Sequence, residues 1–482
     1  MNYGTFLRLS APENAEKEFS ALAERGFDCC HLVYKPEKYT SEAAELIKAA
    51  AEKSGVEISA LFAGFKDSHT KWNISTDYED AGINSKKYGK ERIEYLKSAA
   101  EFCVSLGTEN ILIHGGFISN NPYSEEYIYT LKIFREFALF CKEKGINLLL
   151  ETGGESPVTL LRLIKEADTG NIFVNLDTAN IIMYGYGNPA DAVYTLAPYI
   201  KSVHLKDGLP PIDPYELGKE VDFGTGFADF PKVFALLNKN CFGGPFIIER
   251  EIPDGKQTEE INKTLSAIKE LWSKTLEAKD YTVISCIGDS LTEGDYGVYM
   301  KRGIANVHKE NYPYFLSRLL DAKVQNFGRC GCTASHIIKR YSDGLIDVTG
   351  SDIVIIMLGT NGGNSPDCET QANKDYKAII EKVRLQAPKA KIVLCTPPHA
   401  TDDTAKSNCG YMPNVLAAAK FINRLAEELS LDVIDVLSCP DFTAEAEEIM
   451  QPNDGLHFSE KGYKALAQFI GAELKKLYPD LV

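Results

Sequence analysis

Along residues 1–278, short apolar runs alternate with stretches whose apolar positions recur every three or four residues. The runs are Thr5–Leu9, Cys29–Val33, Ile58–Phe62, Ile111–Ile113, Asn147–Leu150, Ile172–Asn175, Ser202–Leu205 and Phe246–Ile248. Runs this short, bounded by polar residues, read as strands covered on both faces. The stretches Ala15–Arg25, Ser41–Ser54, Lys90–Leu106 and Glu125–Lys144 read as amphipathic helices between them, with a last one at Glu259–Lys274. Eight such strand–helix repeats predict a closed (β/α)8 barrel.

From Asp280 onward the strands are expected at Thr282–Ile287, Lys323–Asn326, Asp352–Leu358, Lys391–Thr396 and Asp432–Asp435, with helices between and Ser459–Tyr478 closing the chain. Five strands with intervening helices predict an open, mostly parallel sheet in a three-layer α/β/α arrangement. The whole is therefore α/β, with two domains expected at 1–278 and 279–482. The junction LEAKD (276–280) is short and charged and has no Gly/Ser-rich or Pro-rich linker.

Composition narrows the class. With 482 residues, 44% hydrophobic and 25% charged, the chain can bury large cores. A net charge of −16 disfavours nucleic acid and anionic membrane as partners, since both call for a basic face. The basic cluster Lys86, Lys87, Lys90 and Arg92 reads as a solvated helix face. The N-terminal residues lack the charged-then-apolar pattern of a secretory signal, and no apolar run reaches the length of a membrane span. A cytoplasmic protein is expected, its 12 cysteines reduced and without zinc-like spacing. Small-molecule substrates fit this picture, and a homo-oligomer is compatible with it.

The second block carries one constellation. The strand TVISCI runs into GDSLTEG (288–294), which places Ser290 in a Gly-framed turn. That serine alone serves equally well as a nucleophile or as part of a helix start. NFGRCGCTAS (326–335) brings Gly331, IVIIMLGTNGGN (353–364) brings Asn361, and NDGLHFSEKGY (453–463) brings Asp454 and His457. All four segments lie past strand ends, where loops of an open α/β sheet converge. A serine hydroxyl needs a base, an imidazole supplies one, and the imidazole needs an acceptor on its other nitrogen. An oxyanion needs fixed donors, for which the Ser290 and Gly331 N–H groups and the Asn361 amide qualify. His399 in TPPH is expected on a solvent-exposed loop at the same edge, and His308 and His336 have no comparable context.

These four blocks, in this order across about residues 280–482, resemble the SGNH/GDSL hydrolase superfamily. The resemblance implies a flavodoxin-like fold and a cofactor-free serine esterase with Ser290, Asp454 and His457 catalytic and Gly331 and Asn361 at the oxyanion. Gly362 stands where the family pattern GTND has an acid. NYPYFLSRLL (311–320) together with GDSLTEG looks like the carbohydrate or aryl acetylesterase branch.

The first block ends its fifth to eighth strands in polar residues: Glu151 in LLLETGG, Asp177 in FVNLDTAN, His204 in SVHLKDG and Glu249 in FIIERE. Any one could simply cap a following helix. Together, at the face where (β/α)8 active sites lie, they make an oxygen-rich set suited to Mn²⁺, Mg²⁺ or a similar divalent metal. With GTGFADF (224–230), these segments resemble the xylose-isomerase-like TIM barrels, the sugar phosphate isomerase/epimerase group. The resemblance implies a metal held by Glu151, Asp177, His204 and Glu249, with Glu151 and Glu249 catalytic in exchanging a sugar-carbon proton through an enediolate. Many members carry His three residues after the Asp, whereas this chain has Asn180. His69 and His114 are candidates for the pocket wall. Lys206 and Arg250 either touch substrate or pair with Asp207 and Glu251. The superfamily includes a DNA-repair endonuclease branch, against which the acidic charge and the lack of further ligand histidines argue.

The expected function is a bifunctional carbohydrate enzyme, an O-acetyl-sugar esterase joined to a metal-dependent sugar isomerase/epimerase. Two alternatives stay open. In one, only the esterase is active and the barrel is a sugar-binding or scaffolding module. In the other, the hydrolase acts on lipids or thioesters.

Overall fold

The computed structural model describes residues 1–65, 81–251, 257–278, 280–297, 307–401, 403–442 and 446–482. The chain divides into two compact units, Met1–Asn238 with Phe242–Ala278 and Lys279–Val482 with Lys239–Cys241.

The first unit is a closed barrel of eight parallel strands. They are β1 (Tyr3–Leu7), β2 (Cys29–Val33), β3 (Glu57–Phe62), β4 (Asn110–His114), β5 (Asn147–Glu151), β6 (Ile172–Asp177), β7 (Ile200–Leu205) and β8 (Phe246–Ile248). Each pairs with its sequence neighbours, and β8 closes onto β1 through Tyr3–Phe246 and Thr5–Ile248. The helix over Ser41–Ser54 shows why these segments fold locally. Thr40 accepts a hydrogen bond from the Ala43 N–H at 3.3 Å, and Gly55 at φ 74° ends the helix. Such an N-cap is worth about 1 kcal/mol. Leu148 and Leu150 of β5 face the helices, where Phe134, Leu160 and Leu163 meet them in one core.

Six of the eight barrel strands differ in their limits from the apolar runs by one or two residues, with a consequence for the site. Polar ends such as Glu151 and Asp177 belong to the strands themselves. Backbone pairing continues past the last apolar side chain because the ladder is indifferent to side-chain polarity. Between β7 and β8, Asp207–Leu209 and Lys219–Val221 form a two-stranded antiparallel ribbon that no apolar run signals. Arg92 departs from the solvated-face expectation. It is buried, donates to the Gly82 carbonyl at 2.6 Å and lies over the rings of Phe65 and Tyr88.

The second unit is a five-stranded parallel sheet with order β10-β9-β11-β12-β13. The strands are β9 (Val283–Gly288), β10 (Lys323–Asn326), β11 (Ile353–Met357), β12 (Lys391–Cys395) and β13 (Asp432–Ile434). Side chains alternate across the sheet, so two cores form. Ile353, Ile355 and Met357 meet Leu316, Leu466 and Ile470 on one face. Val354 and Ile356 meet Ile337, Ile380 and Ile422 on the other. This is the three-layer arrangement expected. Among the described residues, no helix is long and apolar enough to cross a membrane.

Candidate active sites

In the sheet domain, β9 ends at Gly288 and the chain turns at once into a one-turn helix, Ser290–Glu293. Asp289 holds the turn by accepting the Leu291 N–H at 3.0 Å. Ser290 stands at the helix start, where the backbone N–H has no carbonyl within the helix to bond. Its Oγ lies 2.8 Å from His457 Nε2. On the other side of the ring, His457 Nδ1 lies 2.7 Å from Asp454 Oδ2. The carboxylate is itself fixed, its Oδ1 accepting the N–H groups of Leu456 and His457 at 3.0 and 2.9 Å. An i,i+3 spacing closed by a tight turn is what lets so near a neighbour reach the imidazole.

The electrostatics follow from burial and charge. Burial alone would lower the His457 pKa, but the Asp454 hydrogen bond and charge, with the charges of Asp295 and Asp289, raise it above the ordinary imidazole value. For Asp454, burial works upward, yet the bonds from His457 and the two N–H groups bring the net pKa below the usual carboxylate range. The proton between them therefore sits on Nδ1, and Nε2 faces the serine as an acceptor.

Gly331 is exposed at φ 72°, a conformation that favours glycine, and a Cβ there would meet nothing within 4 Å. Asn361 follows β11, and its Nδ2 donates to the Cys332 carbonyl at 3.1 Å. One amide hydrogen is thereby used to orient the group, and the amide has a second. The structure brings Ser290, Asp454 and His457 into one hydrogen-bonded chain. Asn361 is tied to the Gly331 loop through Cys332.

Asp295, one residue beyond the GDSLTEG segment, carries no mark of a role in the sequence. It is buried, its Oδ2 lies 4.0 Å from His457 Nε2, and Cys330 Sγ donates to it at 3.6 Å. His399 is not on an exposed loop. Its carbonyl takes Gln451 Nε2 at 2.8 Å, which ties this loop to the segment carrying Asp454, and its Nδ1 is buried without a hydrogen-bond partner. His336 completes a helix cap with Thr333, and His308 stacks on Tyr296 at 4.0 Å between centroids.

In the barrel, Glu151, Asp177, His204 and Glu249 each offer a ligand atom within 4.8 Å of the others, and all four are buried. His204 Nδ1 lies 2.6 Å from Glu151 Oε1, 3.2 Å from Glu249 Oε2 and 4.0 Å from Asp177 Oδ2. The pleat explains the convergence, because Asp177 and His204 are register partners on adjacent strands, and Ile247, two residues before Glu249, is the register partner of His204 on its other side. Asp177 Oδ1 accepts the N–H groups of Ala179 and Asn180 at 2.8 and 2.6 Å, while Oδ2 is buried without a hydrogen-bond partner. An orphaned buried carboxylate oxygen, among two more carboxylates and an imidazole, fits a hard divalent cation. Burial drives the carboxyls of Glu151 and Asp177 upward. For His204, burial opposes the charges of Glu151 and Glu249, which prevail and push it up to about 10.

Lys206 pairs with Glu251 at 2.5 Å rather than with Asp207, and its Nζ lies 3.2 Å from Asn180 Oδ1. Asp207 instead accepts the N–H groups of Gly208, Gly224, Gly226 and Ala228. Arg250 is bound by Glu220, Asp222 and Glu260, not by Glu251. His114 ends β4; burial, aided by the Lys206 charge, lowers its pKa to about 3, so its ring is neutral. His69 lies outside the described residues. His31 was not singled out in the sequence, yet its Nδ1 lies 2.9 Å from His204 Nε2. A lone histidine inside an apolar strand, CCHLV, gives no signal of which strand it faces across a barrel.

Residues 19–271 match the family model described as xylose isomerase-like TIM barrel, and residues 286–465 match that of the GDSL-like lipase/acylhydrolase family. An isoamyl acetate-hydrolyzing esterase of Schizosaccharomyces pombe is 24% identical over 218 residues, which are 43% of this chain and 81% of that protein. An acetylxylan esterase of Xylanibacter ruminicola is 24% identical over 237 residues, 42% of this chain and 46% of that protein, so less than half of its length is spanned. The crystal structure of a xylose isomerase domain protein from Planctomyces limnophilus superposes with a TM-score of 0.53 at 26% identity, covering 57% of this chain and 99% of that one.

Proposed function

Because this chain belongs to the xylose isomerase-like TIM barrel family over residues 19–271 and carries a GDSL-like acylhydrolase domain over 286–465, we propose that it is a bifunctional carbohydrate enzyme. Its sheet domain removes acetyl groups from sugars, and its barrel isomerises or epimerises a sugar. The observation that carries the esterase half is the chain Ser290–His457–Asp454, with 2.8 and 2.7 Å links.

In this reading Ser290 Oγ attacks the ester carbonyl while His457 Nε2 takes its proton. The oxyanion is received by the Ser290 and Gly331 N–H groups and the second amide hydrogen of Asn361. Expulsion of the alcohol returns the proton from Nε2 to the leaving oxygen, and Ser290 is left acetylated. Water, deprotonated by the same nitrogen, then releases acetate. The isoamyl acetate and acetylxylan esterase relatives support an acetyl ester as substrate.

In the barrel, Glu151, Asp177, His204 and Glu249 would hold a divalent metal. When bound, such an ion polarises the carbonyl and hydroxyl oxygens of a sugar. Glu151 and Glu249 would stand on either side of the substrate carbon, one removing its proton and the other returning it. Lys206 favours a second reading, in which the barrel binds sugar without chemistry. Its ammonium lies 3.9 Å from Asp177 Oδ2 and 3.8 Å from Glu249 Oε2, and so already supplies positive charge.

The discriminating experiment is a panel of acetylated monosaccharides incubated with the full chain, with acetate release and the sugar skeleton followed together. Acetate with an altered skeleton supports the bifunctional reading. Acetate with an unaltered skeleton across the panel, with and without Mn²⁺, sinks the isomerase half, and no acetate sinks the esterase half.

A pH dependence follows from the electrostatics. His457 works as a base only when neutral, and Asp454 raises its pKa. The acid limb of kcat/KM for acetyl-ester hydrolysis is therefore expected above the ordinary imidazole value of about 6.5. In Asp454→Asn it should move to lower pH, with kcat reduced by about 10⁴-fold. A limb that stays in place in that variant would show that the pair does not set it.

A further inference from the structure

We infer that His31 is a positioning residue for the barrel's metal centre: its Nδ1 accepts a hydrogen bond from the Nε2–H of His204 and thereby leaves Nδ1 of His204 as the nitrogen presented to a cation. The inference rests on the reading of Glu151, Asp177, His204 and Glu249 as a metal site.

His31 is the third residue of β2, and His204 the fifth of β7. These strands are not neighbours in the barrel, so the two rings meet across its interior. Both are fully buried. Their Nδ1 and Nε2 lie 2.9 Å apart, with ring centroids at 5.0 Å and planes tilted by 56°. Phe6 of β1 packs edge-on against both rings, at 5.9 and 5.0 Å, which limits their rotation.

A neutral imidazole has one proton for two nitrogens, so it can ligate through one only if the other keeps the proton. Nδ1 of His204 faces the three carboxylates. Once a cation occupies Nδ1, the one remaining proton resides on Nε2, and in a dry interior it needs an acceptor. His31 Nδ1 is the atom in place. To accept, His31 carries its own proton on Nε2, which is buried without a hydrogen-bond partner. A polar N–H left in that state is disfavoured, and an apolar side chain would avoid it. Its presence fits a demand for an acceptor at Nδ1. Ligand histidines usually donate this second N–H to a carboxylate, a backbone carbonyl or water. Here a further carboxylate would bury another negative charge beside Glu151, Asp177 and Glu249. An imidazole accepts the bond without adding charge.

Two substitutions separate hydrogen-bond acceptance from space filling. In His31→Leu the volume is largely kept and the acceptor lost. In His31→Asn volume is lost, but Oδ1 stands close to where Nδ1 stood. The full chain, stripped with chelator, is titrated calorimetrically with Mn²⁺ alone, and each variant's melting in chelator reports its folding. The expected result is an affinity about 10–100-fold weaker in His31→Leu, with His31→Asn close to wild type. The inference is overturned if the order is reversed, if both variants lose affinity alike, or if neither does. Absence of Mn²⁺ binding by the wild-type chain would overturn the metal reading, and this inference with it; binding by wild type with no acceptor dependence overturns only the role of His31.

Discussion

Ser290→Ala is expected to abolish acetyl-ester turnover, with a fall in kcat of about 10⁶-fold if the serine, imidazole and carboxylate act as one unit. The size follows from the loss of the bond-forming atom. Without Oγ no acyl-enzyme forms, and what remains is attack by water on an ester polarised by the oxyanion donors. The fold should be unharmed. Oγ is bonded to His457 rather than to the backbone, and the turn is held by Asp289 accepting the Leu291 N–H. Asn361→Ala is the useful contrast. It leaves nucleophile and base intact, removes one donor, and should lower kcat by about 10²–10³-fold. Both are read from initial rates on p-nitrophenyl acetate and on an acetylated sugar. Full activity in Ser290→Ala would overturn the nucleophile assignment.

The two sites differ in how far the sequence reveals them, and the difference has a physical cause. The esterase residues lie in turns just past strand ends, and turns need particular residue types: Gly331 for a positive φ, Asp454 for a cap closed at i+3, Asn361 for an amide facing another loop. Such requirements leave local marks, so all four segments are visible from the chain alone. Asp295 escaped because its approach to His457, to 4.0 Å, is tertiary. The barrel ligands are legible for another reason: a charged residue at the end of an otherwise apolar strand is anomalous wherever it occurs. What surrounds them is not legible. His31 reaches His204 across the barrel interior over 173 positions of sequence. Lys206 passes over its neighbour Asp207 to pair with Glu251, because Asp207 is engaged by the N–H groups of 208, 224, 226 and 228. The fold itself was readable from period alone, apart from the 207–221 ribbon, whose strands of three residues are too short to set a period.

In the barrel, Asp177→Asn is expected to remove divalent-metal binding and any sugar isomerisation while leaving acetyl-ester hydrolysis unchanged. Asp177 is the ligand whose loss is cleanest to interpret. One of its oxygens is committed to the N–H groups of Ala179 and Asn180, and the other is buried and unsatisfied. An Asn can keep the first role through its carbonyl oxygen, but it then turns an N–H₂ toward the site, where a cation would be repelled. The folded barrel should thus persist. Melting gives a readout independent of catalysis. If wild type binds Mn²⁺, an excess of 100 times the dissociation constant stabilises the folded state by about 2.7 kcal/mol. The melting temperature of the full chain should then rise with Mn²⁺, and that rise should vanish in Asp177→Asn. The metal-free variant should melt no lower than the metal-free wild type, since one of three crowded carboxylates has been neutralised. A wild-type chain that neither retains a divalent ion nor shifts its melting with Mn²⁺, Mg²⁺ or Co²⁺ would instead favour Lys206 as the permanent counter-charge of Asp177 and Glu249, and with it a barrel that binds sugar without transforming it.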